Sequence, residues 1–254
     1  VELAAETLGE MAYERILKDH SRGKPGRISR ERAKEYTDAA EVLVAGNGAT
    51  KLMRAMFLLY DEDFDDAYPA LDKATTGAAP CPAPQGLVVF ALTMQARSML
   101  ERKNADLDAA VVDVLKRAID MKQIAFDEAS RLDKDELRSL PYENLYNLGC
   151  AYARQKKNTD ALERLGEAMK LAKLLFEEDR YGNSFRYMWF WDEDLEELRK
   201  DPKFEEFAKT HAPKGFDFVK ELEKAQKEKA RQDKAKAEQE AANKKAKEKE
   251  GAGQ

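Results

Sequence analysis

Residues 142–176, YENLYNLGCAYARQKKNTDALERLGEAMKLAKLLF, read as two amphipathic helices joined by a short polar turn. In the first helix the apolar and small residues fall at Tyr142, Leu145, Leu148, Gly149, Tyr152 and Ala153, the three-and-four spacing that lines one face of a 3.6-residue helix. In the second they fall at Ala161, Leu162, Leu165, Ala168, Met169, Ala172 and Phe176. Each helix of such a hairpin hides only a stripe of the other, so the pair needs neighbours to bury its remaining apolar surface.

The stretch resembles a tetratricopeptide repeat, a helix–turn–helix unit of about 34 residues. Leu145, Leu148, Gly149 and Tyr152 match the first-helix pattern of that family, and Ala161, Leu165 and Ala168 match the small, large, small pattern of its second helix. Gly149 and Ala161 lack bulk where two backbones would cross, while Tyr152 and Leu165 fill the space beside them. Lys173 stands where the family often ends its second helix with proline. The resemblance implies an all-α fold, with helical hairpins stacked as a short α-solenoid. It also implies a groove lined by first helices, with Glu143, Tyr146, Asn147, Cys150 and Arg154 as the partner-facing row. Asn147 and Arg154 would hold a peptide's carbonyls or carboxylate and Tyr146 would supply an apolar wall. The paired lysines of the repeats that clamp chaperone carboxyl termini are missing.

Across its 254 residues the chain is 43% hydrophobic, enough for a helical core, and 37% charged, which implies long solvated helix faces and a polar tail. A net charge of -5 gives no compositional case for nucleic-acid binding. The longest apolar run, Leu87 to Met94, is far short of the roughly 18 residues a membrane helix needs. Valine at position 1 implies a removed initiator methionine with some preceding length, leaving cytoplasmic and exported locations both open. Two cysteines, Cys81 in a proline-rich loop and Cys150 on a helix face, define no disulfide framework.

Toward the N-terminus, residues 2–19 carry Leu3, Leu8, Met11, Ala12, Ile16 and Leu17 at near-helical spacing, and HSRGKPGRI stops the helix. A second helix is expected after Ser29, through Tyr36, Ala40 and Leu43 to Gly46 and Gly48. The segments ATKLMRAMFLLY and DEDFDDAYPALDKAT form a degenerate repeat, with Ala55, Leu58, Phe64, Ala67, Leu71 and Ala74 at the matching positions. Arg54 interrupts that pattern, and Pro69 is tolerable only near a helix start. Three prolines and two glycines in residues 75–86 mark a loop. A helix from Leu87 to Arg102 follows, then one long helix from Asp106 to Leu132 with Ala109, Val112, Leu115, Ala118, Ile119 and Ile124 inward. Leu92, Ala96, Met99, Val111, Leu115 and Ala118 make this pair a third repeat only if three extra residues sit in its turn.

After the best repeat come Phe185, Tyr187, Trp189, Phe190 and Trp191, then a short helix at Asp194–Arg199 and another at Pro202, capped by Asp201. The wording DEDLEELRKDPKFEEF is similar to the segment that often closes bacterial tetratricopeptide arrays, so the aromatics read as the core of a cap. Against this stands a ligand pocket built from Tyr181, Arg186, Tyr187, Trp189 and Trp191. From Lys220 to Gln254 aromatics vanish, Lys and Arg outnumber Asp and Glu, and no large apolar heptad exists, so the segment reads as a solvated helix or a disordered tail. The divisions expected are therefore N-terminal helices with a degenerate repeat (1–74), a loop (75–86), an array with an aromatic cap (87–219) and a charged tail (220–254).

Chemistry is sparsely signposted. Asp61, Asp63, Asp65 and Asp72 mimic a calcium loop, but Asp66 stands where its sharp turn needs glycine, and acidic residues opening a helix explain them. The two histidines, His20 and His211, have no ligand-spaced carboxylate or cysteine, and the HExxH, CxxC, GxSxG, P-loop and GxGxxG patterns are missing. The expectation is a non-enzymatic interaction scaffold or adaptor that takes a protein or peptide without cofactor or metal. The alternative is a small-molecule or catalytic module using the aromatic 181–191 segment.

Overall fold

The computed structural model describes residues 1–20, 27–76, 85–132, 135–175, 189 and 192–211, and six isolated positions between 220 and 234. Every regular element among them is helical, and none of these helices is long and apolar enough to cross a membrane. The chain forms two compact units, Val1–Leu175 and Phe176–Gln254. Cys81, Arg186, Tyr187, Trp191, most of the charged tail and the centre of the 75–86 loop lie outside the described residues.

The first unit contains α1 (Glu2–His20), α2 (Arg27–Leu43), α3 (Gly48–Tyr60), α4 (Phe64–Thr76), α5 (Gln85–Glu101), α6 (Asp108–Asp120), α7 (Lys122–Leu132), α8 (Asp135–Arg154) and α9 (Asn158–Leu175). Four antiparallel pairs form: α1 with α2, α3 with α4, α5 with α6, and α8 with α9. Between pairs, α1 packs on α3, α3 on α5 and α5 on α8, while α2, α4 and α6 each pack on the first helix of the following pair. The expected boundary at 75–86 therefore does not divide the core, because α3 and α4 both rest on α5.

The sequence dictates this through small residues at crossings. The second helix of each pair carries an inward triplet with the same spacing: Ala33, Thr37 and Ala40; Ala67, Leu71 and Ala74; Val111, Leu115 and Ala118; Ala161, Leu165 and Ala168. All are buried except Ala74, which is partly buried against the same core. Thr37 keeps its hydroxyl inside by donating to the Ala33 carbonyl at 2.8 Å. A Cβ on Gly149 would meet Leu165 Cγ at 2.7 Å, and one on Gly9 would meet Ala49 Cβ at 2.6 Å, so these crossings need the missing side chain.

Three hairpin turns also share one geometry. Glu62, Lys103 and Lys156 each take a left-handed conformation, with φ of 64°, 48° and 59°, seven positions after Ala55, Ala96 and Gly149. Their amides donate to Leu59, Leu100 and Ala153, and the next amide reaches back to Leu58 at 3.0 Å and to Tyr152 at 2.9 Å in the first and third turns. These bonds satisfy carbonyls that the end of a helix leaves free. The three surplus residues expected between the third pair form a 3-10 turn, Ala105–Leu107, capped by the Asn104 side chain.

Several expectations are corrected. α2 begins at Arg27, and Ser29 is a buried helical residue instead of its cap. Leu3 and Met11 are exposed; α1 turns Ala5, Ala12, Tyr13, Ile16 and Leu17 inward. The helix expected from Asp106 to Leu132 breaks at Met121 into α6 and α7, and Ala109 is exposed. Apolar spacing could not show the break, because Ala118, Ala125 and Ala129 keep helical register through it. α8 starts at Asp135 and includes Pro141, whose missing N–H withdraws the helical donor from the Leu137 carbonyl.

In the second unit, Trp189 is 1% exposed and its ring lies 5.1 Å from Phe207 and 6.5 Å from Phe204, both edge-on. The expected helix at Asp194–Arg199 is two 3-10 turns, Glu193–Leu195 and Leu198–Lys200. Arg199 ties them together by donating to the Trp189 and Asp192 carbonyls, both at 2.8 Å. The helix Pro202–His211 opens with Asp201 accepting from the Lys203 amide at 3.0 Å. Trp189, Leu195, Leu198, Phe204 and Ala208 thus form a core at the position where the sequence suggested a cap.

Candidate partner-binding face

The row expected to face a partner runs along α8. Tyr146 and Cys150 are 3% and 2% exposed, so neither presents a side chain to a peptide. Arg154 is committed elsewhere. Its Nη2 lies 2.7 Å from Asp108 Oδ1 with both side chains largely buried, and its Nη1 donates to the Leu100 carbonyl at 3.0 Å. Gln155 adds a bond to the Asp108 carbonyl at 2.6 Å, so the end of α8 is pinned to the α5–α6 turn. Glu143 accepts from Ser139 at 2.7 Å and lies 4.0 Å from Arg97 of α5. Glu143, Asn147 and Arg154 are the half-buried members of the row. Of the aromatic pocket, Trp189 packs on Phe204 and Phe207, and the described residues do not extend to its other expected walls.

Inner positions of the other first helices are filled as well. Tyr13 of α1 reaches Phe90 of α5, with ring centroids 5.8 Å apart, although α3 packs on both helices. Between α5 and α8 the contact is polar: Asn144, fully buried, donates to Thr93 Oγ1 at 3.0 Å, and Thr93 donates to the Val89 carbonyl. The Tyr13 and Tyr60 hydroxyls are buried and have no hydrogen-bond partner among the described residues. Burial holds both phenols well above their ordinary ionisation range; Glu128 reinforces this at Tyr13, and Arg97 opposes it at Tyr60.

A helix already lies on this face. α7 packs on α5 and α8, and it touches α6 only at its edge. Its contact surface is small: Ala125 and Ala129 are buried, and Ile124 and Leu132 partly so. Glu128 approaches α5 so closely that a Cβ on Gly86 would lie 2.4 Å from its Cγ. Arg131 donates to both oxygens of Glu128, at 2.7 and 3.2 Å. Beside it, Glu10 of α1, Gln85 and Gly86 of α5, and Ile124 and Asp127 of α7 line a cleft of about 380 Å³. A second cleft, about 340 Å³ between α2 and α3, has its charges matched internally, Lys34 with Asp61 and Arg54 with Asp38, each at 3.5 Å.

The residues missed by sequence reading are Tyr13, Tyr60, Gly86, Ala125 and Ala129. The alanine spacing in α7 was visible, but it read as a continuation of α6. Among the described residues the arrangement is all-helical, with helix pairs packed in sequence against one another. No family model, curated protein or solved structure matches the chain.

Proposed function

We propose that this chain is a tetratricopeptide-like repeat protein that acts as a non-enzymatic interaction scaffold, taking a helical segment of a protein partner on the inner face of its first helices. The observation that carries the reading is α7 itself, a helix seated across α5 and α8 through small residues, Gly86 on one side and Ala125 and Ala129 on the other. A face that accepts one helix by such close approach has the shape for helix-in-groove recognition. Four helix pairs with the same inward triplet, three of them joined by turns of one geometry, support the stacked-repeat part of the reading. The second unit, with Trp189 edge-on to Phe204 and Phe207, has an aromatic core of its own.

The test is site-specific photo-crosslinking in cells, with the reactive residue placed at Asn147 or Asp127 on the inner face and at Lys116 on the outer side of α6. A discrete protein adduct from the two inner positions and none from Lys116 is expected. Adducts confined to Lys116, or none from any position, would remove the scaffold reading.

A further inference from the structure

We propose that α7 is a displaceable occupant of the first-helix face, held in place until a partner helix with a similar small-residue stripe competes for it. This deepens the scaffold reading and rests on it. α7 is weakly anchored: its fully buried side chains are two alanines, whereas α9 buries Ala161, Leu165, Ala168, Met169 and Ala172. Each buried alanine contributes little apolar area, so releasing α7 costs far less than releasing a helix anchored by leucines.

A second, independent observation concerns what α7 leaves unsatisfied. The Tyr13 hydroxyl is buried without a hydrogen-bond partner among the described residues, close enough to Glu128 and Arg131 for both charges to act on it. α7 brings a carboxylate to this place, but both of its oxygens accept from Arg131. The Tyr60 hydroxyl, near Tyr13, is likewise unpartnered. A competing helix with a free acceptor at the position of Glu128 would keep the alanine contact and gain a bond that α7 does not make. The occupant is therefore an amphipathic helix with small residues four apart and an acceptor between them.

The probe is a fluorescein-labelled peptide of residues 120–132 in which Glu128 is replaced by glycine, so that a side chain at position 86 expels α7 without meeting the peptide, stapled across positions 123 and 127, which are exposed in the chain. Binding is compared in three full-length proteins: the native chain, Gly86→Leu, and a Cys81→Ser background carrying Gly86→Cys with Glu128→Cys, oxidised. In the last two, respectively, the new side chain collides with Glu128 and the paired positions, 3.1 Å apart at Cβ, are joined. Hydrogen exchange over α5, α7 and α8 is followed in parallel. The expected result is at least tenfold tighter binding to Gly86→Leu than to the native chain, no binding to the oxidised protein, recovery on reduction, and α7 amides exchanging ahead of α5 and α8. Equal affinity in all three proteins, or α7 exchanging only with the whole unit, overturns the proposal; if inner-face crosslinks persist, the scaffold reading survives it. Release of α7 in Gly86→Leu without peptide binding overturns both, because the bared face then takes no helix.

Discussion

Gly149 and Ala161 meet almost backbone to backbone: a Cβ on the glycine would stand 3.3 Å from the Ala161 carbonyl oxygen and 2.9 Å from Leu165 Cδ2. Replacing Gly149 with alanine therefore sets two effects against each other. Helix propensity favours alanine by about 1 kcal/mol, whereas overpacking a crossing costs about 1 to 3 kcal/mol. Net destabilisation in urea unfolding is expected. Leu165→Ala should cost less in that background than in the native chain, giving a coupling of about 1 kcal/mol in the double-mutant cycle.

Arg154 predicts a larger effect on stability. With Asp108 at 2.7 Å and the Leu100 carbonyl at 3.0 Å, Arg154→Met strands a mostly buried carboxylate. A loss of about 3 kcal/mol is expected, and Asp108→Asn should be milder. Chemical denaturation of the two single variants and the double variant measures this.

The three left-handed turn residues carry side chains where glycine is free of strain. Glu62→Gly, Lys103→Gly and Lys156→Gly should each raise stability by about 1 kcal/mol, and the triple variant should show additive gains. Thermal and urea unfolding would both report this.

Alkaline pH should unfold the protein early. Tyr13, Tyr60 and Tyr142 all have folded-state ionisation pushed above the ordinary phenol value of 10.0 by burial. Their stability contribution is intact below pH 10, and each loses about 1.4 kcal/mol per pH unit above it, as the unfolded chain ionises first. In Tyr13→Phe with Tyr60→Phe the alkaline slope should shrink. Stability at pH 7 should hold or rise, since two unpartnered hydroxyls are removed.

Local spacing made much of the fold legible. Gly149, Ala161 and Leu165 announced one crossing, and the three surplus residues of the third pair became the Ala105–Leu107 turn. The first pair was harder, because Thr37 stands where the other triplets have an apolar residue, and only its bond to Ala33 makes it a core side chain. The break at Met121 was hidden because unbroken register says nothing about whether a helix turns aside to pack on α5 and α8. For the same reason the row at Tyr146, Cys150 and Arg154 was found on one helix but misread as open. Exposure is decided by distant partners such as Leu100 and Asp108, which sequence spacing along α8 does not contain.

The Tyr13–Phe90 contact has a thermodynamic consequence of its own. A row of helix pairs that touched only neighbours could lose its first member and fray from that end, but this ring pair fastens the first pair to the third. Cutting away residues 1–43 would strip Phe90 of its cover and carry the damage into the middle of the unit, so melting should proceed in a single concerted step.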